Sequence, residues 1–142
     1  MTTTPTLNGR VIGQAERATR AVLDRLLAEH GIPFETSVAI NLLDAAGGRE
    51  PADALIARML DGLRIPEIEV WAAVDDARRR GLVAGTDVLE LTHAGRRHFA
   101  DIQAGIAAIT GRLYDDIPTA DLEVAARVLL TITDRAKAEL DT

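Results

Sequence analysis

Apolar side chains recur at intervals of three and four from about Gly9 to His30. Val11, Ile12, Ala15, Ala18, Val22, Leu23, Leu26 and Leu27 share one helical stripe, with Arg10, Arg17, Arg20, Asp24 and Arg25 on the opposite face. Gly31 followed by Pro33 is a helix stop. A second helix follows, capped by Thr36 or Ser37, burying Val38, Leu42 and Leu43 and ending at Gly47-Gly48. Glu50-Pro51 opens a third helix to about Leu63, with Leu55, Ile56, Met59 and Leu60 turned inward; proline suits a first turn, where no N–H is needed. Ile65-Pro66 breaks the chain, and a fourth helix runs from about Pro66 to Arg80, closed by Gly81.

The texture then changes. Leu82-Val83 and Val88–Leu91 read as two short strands around the tight turn Ala84–Asp87. Thr92 starts a helix that continues to about Leu113, Asp116–Thr119 makes a turn, and Leu122–Leu140 forms the last helix. On that helix Leu122, Ala125, Ala126, Leu129, Ile132 and Ala136 fall on one side. The expected architecture is mostly α: a winged helix-turn-helix lobe over residues 36–92 with a short β-hairpin wing, between long helices at 9–30 and 93–140, in a single domain spanning 1–142. The outer helices are too long and too apolar on one face to satisfy themselves. A second copy of the chain is the simplest cover, so a homodimer held through Val11, Val22, Leu129 and Ile132 is expected. The Thr-rich stretch Met1–Asn8 reads as a frayed lead.

Composition narrows the function. There is no cysteine, which removes disulfide scaffolds, zinc fingers and thiol switches together. No apolar run approaches the ~20 residues of a membrane span, and residues 1–10 hold no signal-peptide core, so a cytoplasmic protein without membrane partners is expected. The net charge of −6 runs against a simple nucleic-acid binder, whose affinity comes mostly from cations on phosphates. His30, His93 and His98 contain no i, i+4 pair, so no metal site is expected; adjacent carboxylates at Asp75-Asp76 and Asp115-Asp116 point apart on a helix; and Ser37, the only serine, has no neighbouring histidine in sequence. No enzyme and no cofactor is expected.

The segment Ile65–Val83, ending Arg80-Gly81-Leu82-Val83, followed by Leu91-Thr92-His93-Ala94-Gly95-Arg96-Arg97, resembles the MarR family of transcription regulators. So does the ending, where Ile117–Asp121 leads into the last helix; the likeness covers nearly the whole chain. Gly81 supplies the left-handed turn out of the fourth helix, Leu82 and Val83 anchor the wing, Thr92 caps the next helix, and Gly95 permits close backbone packing. The resemblance implies a homodimer on double-stranded DNA, with both fourth helices in successive major grooves, and a small amphipathic effector bound between the dimerising and DNA-binding regions. It implies a transcription regulator, by default a repressor.

The contact positions depart from the family's pattern. A recognition helix needs donors near its start, yet the corresponding positions here are Glu67, Glu69, Trp71, Ala72, Asp75 and Asp76. Glu69 can accept from cytosine; equally, Glu67 and Glu69 suit the positive end of the helix dipole, as Arg78–Arg80 suit its negative end. The wing tip has no basic residue where the family carries an arginine. Phosphate contacts therefore fall to Arg49, Arg58, Arg64, Arg78, Arg79, Arg80, Arg96 and Arg97. From Pro66 to His98 five arginines face six acids, a net −1 before the histidines. Two readings stay open: a working repressor using those arginines, or a winged helix that has lost DNA binding and serves a ligand or protein partner. Trp71 reads as core. Phe34, Ile40 and Phe99 are the candidates for an effector pocket between the first, second and fifth helices.

Overall fold

The computed structural model describes residues 4–142; the part of the frayed-lead reading that concerns residues 1–3 lies outside them. The element order is α1 (Gly9–Glu29), α2 (Phe34–Ala45), β1 (Arg49–Pro51), α3 (Ala52–Leu63), α4 (Glu67–Arg79), β2 (Val83–Ala84), β3 (Val88–Leu91), α5 (His93–Leu113) and α6 (Thr119–Leu140). Backbone packing divides the chain within α5, between residues 107 and 108.

In the first unit, α2, α3 and α4 pack around Leu43, Leu55, Met59, Val70 and Val74, each 1% exposed or less. Leu89 of β3 closes this core from the sheet side. The sheet has three antiparallel strands in the order β1-β3-β2, with Arg49 opposite Glu90, Pro51 opposite Val88, and Val83 opposite Leu91. β1 corrects the expectation that Glu50-Pro51 opens the third helix. That helix begins at Ala52, whose N–H donates to Asp87 O at 2.9 Å, and Pro51 sits outside it as N-cap. Arg-Glu-Pro carries no apolar alternation, so only its pairing with β3 makes it a strand.

The cap of α2 is a second correction. The helix starts at Phe34 behind Pro33, so Thr36 lies inside its first turn and Ser37 donates back to Phe34 O at 2.8 Å. Its inward face is Thr36, Ala39, Ile40 and Leu43, while Val38 and Leu42 are half-buried. Trp71 is also half-buried rather than core. Arg80–Val83 and Leu91–Gly95 behave as read. Gly81, at φ 73°, ends α4: its N–H reaches Arg78 O at 2.9 Å, and that of Leu82 reaches Ala77 O at 3.0 Å. Thr92 receives the Gly95 N–H at 3.0 Å and donates its hydroxyl to Gly81 O at 2.6 Å, so one side chain caps α5 and ties it to the end of α4. A Cβ on Gly95 would lie 2.1 Å from Leu82 O, which is why the contact needs glycine.

The second unit contains the end of α5, a turn in which Asp116 adopts φ 62°, and α6. α6 has no buried residue along its length, and Val124, Val128, Leu129, Leu130 and Ile132 are all exposed.

Candidate functional site

The helix-turn-helix is α3–α4 and the wing is β2–β3, and the candidate nucleic-acid surface is what these elements leave exposed. At the start of α4 that surface is Glu67, Ile68, Glu69 and Ala72. Ile68, 78% exposed, is the most exposed large hydrophobic residue among those described; because it faces away from the core stripe, periodicity passed over it. Glu69 also lines an open groove of about 370 Å³ between α2 and α4, shared with Glu35 and Asp76. Carboxylates on that groove repel phosphate.

The eight candidate arginines do not form one group. Arg58 donates to Leu42 O at 3.0 Å and pairs with Glu50, locking α3 to α2 and β1. Arg78 donates to Gly85 O at 2.8 Å and pairs with Asp75, holding the wing tip against α4. Arg80 donates to Asp76 at 2.7 Å and to Gly31 O, joining the ends of α4 and α1. Those three hold tertiary structure. Arg64, in a left-handed conformation at φ 55°, meets Asp61 at 3.3 Å, and Arg79 meets Asp76 at 3.3 Å. Solvent-exposed pairs of that kind are worth ~0–1 kcal/mol, so a phosphate can replace either carboxylate. Among the described residues the side chains of Arg49, Arg96 and Arg97 are exposed and make no ion pair or hydrogen bond; that of Arg96 lies over Gly48, the residue before Arg49. The sequence showed eight equivalent cations, and the structure sorts them by what each already holds.

Asp76 is the hub of this lobe. It accepts from Arg80, from Arg79 and, at 2.9 Å, from the hydroxyl of Thr36, which is only 2% exposed. Burial pushes its pKa up, but the bonds from Arg80 and Thr36, the charge of Arg80 and the bond from Arg79 outweigh burial, so the carboxyl titrates below its ordinary value of 3.8.

The second candidate site is a cavity of about 70 Å³ between α1, α2 and α5. Phe34, Ile40 and Phe99 all line it, together with Leu27, Ile102 and His98. α1 and α2 meet there because Gly31–Pro33 turns the chain back after one apolar stripe and before the next. Arg20 lies over Phe34, 3.3 Å from the ring centroid, and pairs with Asp24 at 3.2 Å. The rings of His30 and His98 meet edge to face at 5.8 Å, a contact between residues 68 positions apart that local spacing cannot show. Nε2 of His98 is enclosed and has no hydrogen-bond partner. Burial and the charge of His30 lower the His98 pKa from 6.5; Asp101 opposes them and Arg80 reinforces them. Among the described residues no three His, Asp or Glu side chains gather as a metal site, and no helix is long and apolar enough to cross a membrane.

Helix-turn-helix, wing and long flanking helices define a winged helix-turn-helix protein. Solved structures agree. CouR from Rhodococcus jostii RHA1 bound to p-coumaroyl-CoA superposes with a TM-score of 0.75 at 19% identity, covering 87% of this chain and 89% of that one. A MarR family protein from Mycobacterium tuberculosis in complex with salicylic acid gives 0.68 at 16% identity, covering 90% and 99%. A MarR family protein from Bacillus stearothermophilus gives 0.61 at 17%, covering 93% and 99%. The chain therefore has the MarR-like winged-helix fold. No family model matches the sequence, and no curated protein does.

Proposed function

We propose that this chain is a cytoplasmic, ligand-responsive transcription regulator that binds double-stranded DNA as a homodimer and acts as a repressor, with residues 1–142 serving as one functional domain. The observation that carries the reading is the pairing of a complete winged helix with an apolar cavity at its border with α1 and α5. Solved relatives in fold hold salicylic acid or p-coumaroyl-CoA, which supports a small-ligand response. α6, with an apolar stripe and no buried residue, supports a second copy as its cover.

On DNA, Arg49, Arg96 and Arg97 take phosphates first, and Arg64 and Arg79 join by exchanging their carboxylates. Arg58, Arg78 and Arg80 position the lobe rather than grip the duplex. Base reading at α4 falls to Ile68 against thymine methyls and to Glu69 accepting from cytosine, in place of the usual donors. Fluorescence anisotropy against the DNA upstream of the protein's own coding sequence tests this. The six contacts per dimer from Arg49, Arg96 and Arg97 alone give a slope of log K against log salt of roughly −5, and the four from Arg64 and Arg79 steepen it towards roughly −9. Binding no tighter than to random duplex at ~50 mM salt would sink the DNA-binding reading.

A second reading rests on the acidic start of α4 and its carboxylate-lined groove: a winged helix that no longer binds DNA and acts through a ligand or protein partner. Ligand binding in the cavity without any duplex binding is the result that selects it.

A further inference from the structure

We infer that His30 and His98 form an acid-sensitive latch where the ends of α1 and α4 meet α5: charging both rings parts them and loosens α4, so acid weakens the hold of α4 on its target. The latch itself needs no assumption about that target; its effect on DNA rests on the DNA-binding reading above. His30 is the C-cap of α1 and His98 lies in the second turn of α5, and their rings meet edge to face at 5.8 Å. Arg80, the C-cap of α4, completes the junction by donating to Gly31 O, the carbonyl next to His30. His30 is exposed and exchanges protons with water directly, whereas Nε2 of His98 is enclosed and has no partner. A neutral imidazole can leave that nitrogen as an acceptor. A charged one makes it an N–H donor that finds neither water nor acceptor, beside a second cation, which folding tolerates poorly.

The charges facing His98 come from three elements. His30 on α1 and Arg80 on α4 oppose its proton, and Asp101, one turn on in α5, favours it. α1 and α2 add Leu23, Leu27, Phe34, Ser37 and Asn41 around the adjoining cavity, all without charge. Asp76 holds Arg80 at 2.7 Å and stays ionised above its lowered pKa, so the counter-charge of Arg80 does not change near neutral pH. Burial, the charge of His30 and that of Arg80 outweigh Asp101 and hold the His98 pKa below 6.5. A basic group with a lowered folded pKa stabilises the fold fully above its unfolded value, here 6.5. That stabilisation is lost as pH falls from there through the lower folded value. The response therefore starts well above the range in which carboxylates titrate.

NMR of the histidine rings and urea unfolding of the full-length protein, each from about pH 8 to about pH 5, test the latch. The His98 ring is expected to titrate below 6.5, and stability to fall as pH drops from 6.5. His98→Phe should flatten that fall, and His30→Gln, a change at an exposed position, should raise the His98 midpoint. A His98 midpoint at or above 6.5, or one unmoved by His30→Gln, overturns the inference. If His98→Phe fails to fold by circular dichroism, His30→Gln decides. Duplex anisotropy at constant salt supplies the functional arm. Acid alone makes the chain less negative and should tighten phosphate binding. Wild type should instead weaken about fivefold or more between ~pH 7.5 and ~pH 5.5, and His98→Phe should not. Wild-type affinity that holds or rises with acid overturns the regulatory role. Absence of duplex binding at both pH values overturns the DNA-binding reading alone, and the ring titration then decides the latch.

Discussion

Replacing Thr36 by valine tests the connection between α2 and the helix-turn-helix. Thr36 is 2% exposed, and its hydroxyl donates to a carboxylate that is itself bonded to Arg80 and Arg79. Valine keeps the volume and removes the donor. A hydrogen bond to a charged group contributes about 1.5–3 kcal/mol. Burying a methyl in place of the hydroxyl returns roughly 1 kcal/mol. The net loss is about 0.5–2 kcal/mol, or a fall in melting temperature of roughly 2–8 °C for a chain of this size. Asp76→Ala should be worse, about 2–4 kcal/mol, because it orphans a buried hydroxyl and unties Arg80 from α4. The double variant should lose less than the sum, with a coupling of ~1 kcal/mol or more. Urea unfolding at a fixed protein concentration measures all three, with repeats at low pH. The folded pKa of Asp76 lies below 3.8, so its contribution is complete above that value and disappears as pH falls through the lower folded value. The valine penalty should therefore shrink as pH falls below 3.8 and through the lower folded value. A Thr36→Val protein within ~0.3 kcal/mol of wild type at pH 7, or strict additivity in the cycle, would show that the bond does not couple these helices.

The remaining expectations concern other contacts. Gly95→Ala forces a Cβ to 2.1 Å from Leu82 O, where backbone cannot yield, and should destabilise by ~3 kcal/mol or more in the same assay; a loss under ~1 kcal/mol refutes the close approach. Arg96→Ala should weaken duplex binding evenly across sequences and reduce the salt slope by about 2 per dimer, whereas an unchanged slope removes Arg96 from the phosphate contacts. Leu129→Glu places a charge on the apolar stripe of α6 and should weaken self-association by about 100-fold in sedimentation, with helicity kept. A wild-type protein that sediments as a folded monomer refutes the dimer reading outright.

Much of this fold was legible in the chain because it is written in local signals. Helix positions followed from apolar spacing, and helix ends from Gly31, Gly47, Gly81 and the prolines, all of which act within one turn. Thr92 and Gly95 were legible for the same reason. Phe34, Ile40 and Phe99 line one cavity, a grouping that followed from what the family resemblance implies and not from local spacing. What the chain could not show depends on partners distant in sequence. β1 exists only because β3 lies beside it, and Thr36 is a buried link rather than a cap because Asp76 stands 40 residues away. The same holds for the arginines. Their sequence states a charge; whether that charge is available to a phosphate depends on Leu42 O, Gly85 O and Gly31 O, carbonyls that only the folded chain brings within reach. Hydrophobic periodicity determined the elements, and tertiary hydrogen bonding decided which side chains remain free to act.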